Sequence, residues 1–186
     1  AIHQLLEELN LAVGRISEIV GAVKGYVYLD QSPVQRIDVR TGLEQTLIIL
    51  RHRLSEGIEV RRDYGDDVPR IEAIAGELNQ VWTNLIDNAI DAMEGRGTLT
   101  IRAEPDPDAE GVCVSICDSG PGIPEDFRPH LFEPFATTKP PGKGTGLGLH
   151  ISHSVVARHR GRIEVDSAPG RTCFVVSLPA GGSAGR

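Results

Sequence analysis

The chain has 186 residues, a formal net charge of -7, 40% hydrophobic residues and 24% charged residues. This length fits one domain with a sizeable core plus an appended element. The acidic balance gives no electrostatic reason to expect nucleic acid or an anionic membrane surface as a partner. The sequence carries neither an apolar run long enough to span a bilayer nor a secretory signal pattern, so we expect a cytoplasmic segment without membrane contact.

The three cysteines do not indicate a disulfide framework, and their spacing does not match that of zinc ligands. Cys113 and Cys117 would share one face of a strand, but four residues of strand separate their Cα atoms by about 13 Å. A disulfide tolerates roughly 7 Å between Cα atoms. We therefore expect these cysteines to be packing residues in a reducing compartment.

Residues 1–29 contain no proline and carry a heptad pattern of apolar side chains. The main row of the pattern is Ile2, Leu5, Leu9, Ala12, Ile16, Ile19, Val23 and Tyr26. A second row at seven-residue spacing widens the stripe, which favours a helical bundle over a two-stranded coiled coil. A surface helix packed on its own domain is the alternative, because Gly14, Gly21 and Gly25 lower the helix propensity. Residues 30–33 indicate a linker, and we assign residues 1–32 to this helix and linker.

Residues 33–180 alternate helix and strand patterns, and residues 181–186 indicate a flexible tail. The predicted elements are an extended stretch at 37–39, a helix at 41–54, strands at 58–63 and 70–73, a helix at 76–93, strands at 98–103 and 112–117, a helix at 147–160, and strands at 162–167 and 172–178. The intervening residues 118–148 are rich in glycine, proline and threonine, with at most one short helix near residues 129–132. A loop of this length inside a compact domain usually has a function.

Two asparagines lie on one face of the predicted helix at 76–93, because Asn84 and Asn88 are four residues apart. Mg²⁺ prefers oxygen ligands, and neutral amide oxygens suit it when a triphosphate supplies the negative charge. The alternative is that both asparagines bond a neighbouring loop.

A strand ends at Asp118, and the chain then turns through Gly120 and Gly122. A carboxylate at that point can accept a hydrogen bond from an exocyclic amine such as that of adenine. The glycines allow the backbone to approach a flat ring. An Asp-x-Gly turn on its own is nevertheless commonplace.

Two further segments follow in the long loop. In residues 132–139 a pair of phenylalanines precedes two threonines and Lys139, so the aromatic rings could fix one end of a mobile loop while Lys139 approaches phosphates. Residues 142–149 are glycine-rich and run into a helix, so that free backbone N–H groups and the helix dipole would face a phosphate. This loop matches neither the Walker pattern nor the dinucleotide fingerprint.

In this order, the four segments resemble the nucleotide-binding boxes of the GHKL superfamily, which comprises histidine kinases, gyrase-type topoisomerases, mismatch-repair ATPases and certain chaperones. The similarity covers roughly residues 37–179. It implies a two-layer α/β (α+β) sandwich, in which one mixed sheet carries helices on one face and the stretch between the glycine boxes forms an ATP lid. It also implies ATP or ADP and Mg²⁺ as ligands.

The resemblance assigns roles to individual residues. Asn88 would hold Mg²⁺ with help from Asn84, Asp118 would receive the adenine amine, and Lys139 would contact phosphates. Asn84, Asn88 and Lys139 are thus the expected catalytic residues. The expected nucleotide contacts are Asn84, Asn88, Asp91, Asp118, Gly120, Gly122, Ile123, Phe132, Thr137, Thr138, Lys139, Gly144, Thr145, Gly146, Leu147 and Gly148.

The residue four positions before the metal asparagine separates kinases from hydrolases within this resemblance. Superfamily ATPases place a glutamate there that can deprotonate the attacking water, whereas this chain has Asn84, which has no useful basicity. Together with the heptad helix, this indicates a sensor histidine kinase that dimerises through its N-terminal helix and passes phosphate to a response-regulator receiver domain. An anti-sigma serine kinase and a non-catalytic nucleotide-binding module are the alternatives.

The histidines bear on the position of the phosphoacceptor. His3 precedes the linker without an intervening turn, so we expect it to be an exposed residue on the second helix of the dimerisation hairpin, with the phosphoacceptor upstream. We expect surface positions or lid contacts for His52, His130, His150, His153 and His159.

Overall fold

The computed structural model of this chain describes residues 34–54, 57–139 and 144–181. The predictions for residues 1–33, including the heptad helix and His3, lie outside the described residues, as does most of the predicted tail. Within the described ranges, no helix is both long enough and apolar enough to cross a membrane.

Strands and helices alternate along most of the described chain. The strands are β1 (Gln35–Ile37), β2 (Ile58–Tyr64), β3 (Ile71–Ala73), β4 (Gly97–Pro105), β5 (Gly111–Asp118), β6 (Arg162–Ala168) and β7 (Arg171–Pro179). The α-helices are α1 (Val39–Ile49), α2 (Ala75–Met93) and α3 (Gly148–Arg158), and short 3₁₀ helices lie at Leu50–His52 and Arg128–His130.

Five strands form the main sheet in the order β2-β4-β5-β7-β6. β2 pairs with β4 in parallel, and the other neighbouring strands are antiparallel. β1 and β3 form a separate antiparallel pair. The predicted mixed sheet within an α+β sandwich is therefore confirmed.

The core lies between the main sheet and the helices. Alternate residues of β4, such as Leu99 and Ile101, are fully buried, as the period of two of a strand requires. On α2, Trp82, Leu85 and Ile86 are also fully buried, and each contributes about 1.5–3 kcal/mol through burial. Because this apolar face of α2 is fixed against the sheet, the opposite polar face is held in one orientation.

The predicted elements agree with the observed ones to within two residues, apart from the region around α1. There the predicted extended stretch at 37–39 is wrong at Val39, which begins the helix. Asp38 caps this helix, because its side chain accepts a hydrogen bond of 3.0 Å from the Arg40 N–H. The predicted end at residue 54 is also wrong, since the α-helix ends at Ile49 and continues as a 3₁₀ turn.

The expectation of reduced cysteines is wrong for Cys117. β5 and β7 place Cys117 directly opposite Cys173, with 4.0 Å between their Cα atoms, and the two residues form a disulfide. Spacing along one strand correctly excludes a bond between Cys113 and Cys117. That spacing cannot predict a bond to a cysteine on another strand that is far away in the sequence, such as Cys173 on β7. Cys113 remains a buried free thiol, and burial raises its pKa.

Candidate nucleotide-binding site

A cleft of about 1170 Å³ opens between the polar face of α2, the turn after β5 and the N-terminus of α3. Its volume is slightly above the roughly 300–1,000 Å³ of most small-molecule sites. The structure brings the predicted nucleotide contacts together here, with two exceptions. Gly120 and Phe132 do not line the cleft.

Asp118 is the last residue of β5 and lines the cleft, with only 5% of its surface exposed. Its Oδ1 accepts a hydrogen bond of 2.8 Å from the Gly120 N–H. Burial raises the pKa of Asp118, and this hydrogen bond offsets the effect only in part. A buried carboxylate with a second acceptor oxygen suits a ligand that donates an N–H group.

The glycines after Asp118 are required by close backbone contacts. A Cβ atom on Gly120 would lie 2.7 Å from Oδ1 of Asp118. Gly122 has a φ of +89°, and a Cβ atom there would lie 2.6 Å from the carbonyl oxygen of Ala168. Gly120 therefore positions Asp118 through its backbone and has no direct place in the cleft.

Asn84 joins α2 to α3. Its Nδ2 donates hydrogen bonds to the carbonyl oxygen of Gly148, at 3.0 Å, and to Oγ of Ser152, at 3.2 Å. Ser152 is fully buried and donates to the same carbonyl oxygen. The amide nitrogen of Asn84 thus holds the start of α3, while its amide oxygen is left to act as an acceptor.

Asn88 and Asp91 lie one helical turn apart and contact the same cation. Nζ of Lys139 donates to Oδ1 of Asn88 at 2.9 Å and to Oδ2 of Asp91 at 2.5 Å. Oδ1 of Asp91 accepts from Nη2 of Arg53 at 2.5 Å, and Arg53 also pairs with Asp87. The Asp91 carboxylate therefore contacts two protein cations in this structure, and its predicted nucleotide contact stays a prediction.

The electrostatic environment keeps Asp91 ionised. Burial alone would raise the pKa of its carboxyl group, but hydrogen bonds and charges from Lys139 and Arg53 outweigh burial and lower that pKa. The observed ammonium at Oδ1 of Asn88 also shows that this oxygen is placed to receive a cation. The amide oxygens of Asn84 and Asn88 thus form a donor set that fits a Mg²⁺ ion carried by a triphosphate.

The N-terminus of α3 provides backbone N–H groups at the other side of the cleft. Residues 144–148 line the cleft and lead directly into this helix. Among the described residues, none caps the start of α3 with its side chain. The free N–H groups and the helix dipole therefore favour an anion at this point.

The phenylalanine segment is fixed to α3 by contacts of Phe132. The ring of Phe132 packs at 5.2 Å from the ring of His153, and Nδ1 of His150 bonds the Phe132 carbonyl oxygen at 3.0 Å. Phe135 has a φ of 66° and donates its N–H to the Gly146 carbonyl oxygen at 3.0 Å. The ring of Phe132 therefore anchors the segment, although it does not line the cleft. The predicted anchoring by both aromatic rings is wrong for Phe135, which is 72% exposed.

Sequence reasoning missed several residues that line the cleft, including Arg53, Asp87 and Thr172. Asp87 could have been predicted from the sequence, because it directly precedes Asn88. Thr172 lies beside Asp118 only through the register of β5 and β7. Arg53 carries no local signal, since it reaches α2 from the end of a different helix.

This fold and cleft define an α+β sandwich domain whose site combines a buried carboxylate, amide oxygens and a helix N-terminus. Comparison with protein-family models agrees with that class. Residues 74–182, more than half of the chain, match the family described as histidine kinase-, DNA gyrase B-, and HSP90-like ATPase. The chain belongs to this family.

Individual relatives give the same picture. The sensory histidine kinase/phosphatase NtrB of Rhodobacter capsulatus is 41% identical over 128 residues, which cover 63% of this chain and 36% of the relative. The sensor histidine kinase ZraS of Escherichia coli K12 is 33% identical over 179 residues, which cover 95% of this chain and 38% of the relative. The chain therefore spans less than two fifths of the length of these two relatives.

Among solved structures, full-length ShkA in complex with AMPPNP matches with a TM-score of 0.78 and 27% identity. The match covers 98% of this chain and 40% of ShkA.

Proposed function

We propose that this chain is the ATP-binding catalytic part of a sensor histidine kinase. In this proposal it transfers the γ-phosphoryl group of ATP to a histidine on a dimerisation hairpin, from which the group passes to an aspartate of a response-regulator receiver domain. The family match and the names of NtrB and ZraS support the assignment. The heptad pattern of residues 1–29 supports dimerisation through that segment.

One observation carries the choice of kinase over hydrolase. Asn84 occupies the position where a hydrolase needs a base, and its amide nitrogen donates to Gly148 and Ser152. An amide in that arrangement has no proton-accepting nitrogen and no useful basicity towards water. ATP bound beside it therefore keeps its γ-phosphoryl group for another nucleophile.

In this proposal, residues at the two ends of the cleft bind different parts of the nucleotide. Asp118 would accept the adenine amine, and the N–H groups at the start of α3 would hold phosphate oxygens. Asn88 and Asn84 would hold Mg²⁺, which when bound neutralises charge on the phosphates. Phosphoryl transfer depends mainly on such positioning and charge stabilisation.

A transfer assay tests the proposal. The chain is incubated with γ-labelled ATP, Mg²⁺ and a separate fragment carrying the histidine-bearing hairpin of a relative such as ZraS or NtrB. We expect acid-labile label on the hairpin histidine and none on His3, because phosphohistidine is hydrolysed in acid whereas phosphoserine is not. Asp118→Asn provides a control in which weaker nucleotide binding should lower the transfer at limiting ATP.

Three results would contradict the proposal. Acid-stable label on a partner serine would favour the anti-sigma type of kinase. ATP binding without transfer to any hairpin would favour the non-catalytic module. Release of inorganic phosphate at the same rate with and without the hairpin would indicate a hydrolase.

A further inference from the structure

The contacts of Lys139 with Asn88 and Asp91, which we term the Lys139 latch, place an ammonium group at the metal asparagine. Nζ of Lys139 lies 2.9 Å from Oδ1 of Asn88 and 2.5 Å from Oδ2 of Asp91. The lysine side chain is only 29% exposed, and a Cβ atom on Gly144 would lie 3.0 Å from its Cδ. Ordering a lysine in this way loses rotamer entropy, so the two contacts must compensate for it.

Asp91 is held in place to receive Lys139. Its second oxygen accepts from Arg53 at 2.5 Å, and Arg53 pairs in turn with Asp87. Two cations and two carboxylates thus form a balanced cluster along one edge of α2. The hydrogen bonds to Asp91 join charged partners, which makes them stronger than ordinary hydrogen bonds.

An ammonium group and a metal ion cannot share this position. Both are cations, so they repel each other when both lie close to the Asn88 oxygen. A cation that arrives with a triphosphate must therefore displace Lys139. The phosphates carried by the same ligand give the displaced ammonium group a new partner.

We propose that Lys139 acts as an internal substitute for the metal ion in the nucleotide-free domain, that Asp91 holds it there, and that Mg²⁺ competes with it for Asn88. This inference rests on the proposed function for the identity of the ligand, Mg²⁺ with ATP. It assigns Asp91 as a positioning residue that acts through Lys139. Asp91 itself does not contact the nucleotide in this scheme.

Chemical labelling tests the latch without any nucleotide. The free domain is treated with a limiting amine-acylating reagent, and mass spectrometry measures the reaction rate of Lys139 relative to Lys24. We expect Asp91→Asn to raise the relative rate of Lys139 by about threefold to tenfold, because the amine loses a charged partner. Equal rates in the parent and in Asp91→Asn would overturn the latch.

A double-mutant cycle tests the competition. The measured quantity is the Mg²⁺ concentration that gives half of the Mg²⁺-dependent gain in ATP affinity, determined by calorimetry for the parent, Asp91→Asn, Lys139→Gln and the double variant. Loss of the Asp91 charge weakens Mg²⁺ binding in either background. When Lys139 is present, Asp91→Asn also releases the latch, which makes Mg²⁺ binding easier and opposes that loss. We therefore expect Asp91→Asn to raise the half-effect Mg²⁺ concentration less in the parent than in the Lys139→Gln background, by a factor of about threefold to tenfold.

The two arms separate this inference from the proposed function. Equal effects of Asp91→Asn in the two backgrounds would overturn the competition. If the parent bound no ATP, the proposed function would fail and displacement by Mg²⁺ would fail with it. The labelling arm would still decide whether Asp91 holds Lys139.

Discussion

The two ends of the cleft are built in different ways. At the Asp118 end, a strand terminus, one backbone hydrogen bond and required glycines fix a buried carboxylate. At the Asn88 end, partly exposed side chains from α2, the residues after α1 and the loop before residue 140 form ion pairs. The Asp118 end is suited to recognising one fixed group of the ligand. The Asn88 end is suited to exchanging its ion-pair partners when a charged ligand binds.

The largest expected effect comes from Asp118→Asn. The amide oxygen keeps the bond from Gly120, so its NH₂ group faces the adenine amine, and a donor is left without an acceptor. We expect ATP affinity to fall by about 10- to 100-fold, which corresponds to roughly 1–3 kcal/mol. Calorimetric titration measures this affinity.

The same variant should stabilise the free domain, because it removes a buried charge whose pKa burial has raised. Thermal unfolding without nucleotide measures this effect. An unchanged ATP affinity would show that Asp118 does not bind adenine. An unchanged melting temperature would show that Asp118 is not a buried charged group in the free domain.

Gly146→Ala is expected to have the next largest effect. A Cβ atom there would lie 2.3 Å from the carbonyl carbon of Phe135, and the residue has a φ of +67°. We expect a loss of roughly 1–3 kcal/mol in unfolding free energy from chemical denaturation.

Two other glycines supply matched controls for Gly146→Ala. Gly170 has a φ of +85°, but a Cβ atom on it would meet nothing within 4 Å, so Gly170→Ala measures backbone strain alone. A Cβ atom on Gly76, within α2, also meets nothing within 4 Å, so Gly76→Ala should stabilise by about 0.5–1 kcal/mol. Equal destabilisation by Gly146→Ala and Gly170→Ala would contradict the close contact with Phe135.

Asn84→Asp probes the junction between the two ends. A carboxylate would present an acceptor to the Gly148 carbonyl oxygen in place of the observed donor. We expect ATP affinity to fall by about tenfold, because the start of α3 loses its support from α2. Ser152→Ala removes one of the two acceptors and should have a smaller effect, and the reverse order of the two variants would contradict this role of Asn84.

The smallest expected effect concerns thermal stability: the charges of Asp118 and Asp91 should change the melting temperature in opposite directions, and both effects should depend on pH. The pKa of Asp118 is raised in the folded state, so its charged form opposes folding at neutral pH, and Asp118→Asn should melt above the parent. The pKa of Asp91 is lowered, so its charge supports folding, and Asp91→Asn should melt below the parent.

Both differences should shrink in acid, because the carboxylates become protonated. As the pH falls, the difference in melting temperature for Asp118→Asn begins to shrink at a pH above the ordinary aspartate pKa of 3.8. The difference for Asp91→Asn continues to shrink at a pH below 3.8. Melting curves between pH 7 and the acid limit of folding, taken at one ionic strength, measure the two trends. Differences of the same sign at neutral pH would contradict the contrast between the two ends.

The sequence predicts local features of this domain well, for physical reasons. Apolar periodicity places α2 and the strands of the main sheet to within two residues, because burial of one face imposes that periodicity. Asn84, Asn88 and Asp118 are found because their chemistry depends on short spacing and strand ends. The prediction of their roles stays a prediction until ligand binding is measured.

Features that depend on distant pairing escape the sequence. The disulfide of Cys117 with Cys173 follows from the register of two strands that are far apart along the chain. The contacts of Arg53 and Lys139 with Asp91 join three segments that no local pattern connects. Side-chain partners of this kind require the packed helices and sheet to be known first.

The Mg²⁺ dependence of ATP binding, measured by calorimetry on the parent, Asp118→Asn and Asn88→Ala, tests the two-ended cleft most directly. We predict that Asp118→Asn weakens ATP by the same factor with and without Mg²⁺, because it acts at the adenine end. Asn88→Ala should instead remove the gain in affinity that Mg²⁺ provides and leave metal-free binding within about threefold of the parent. Parent-like binding by Asp118→Asn, or an intact Mg²⁺ gain in Asn88→Ala, would contradict the account.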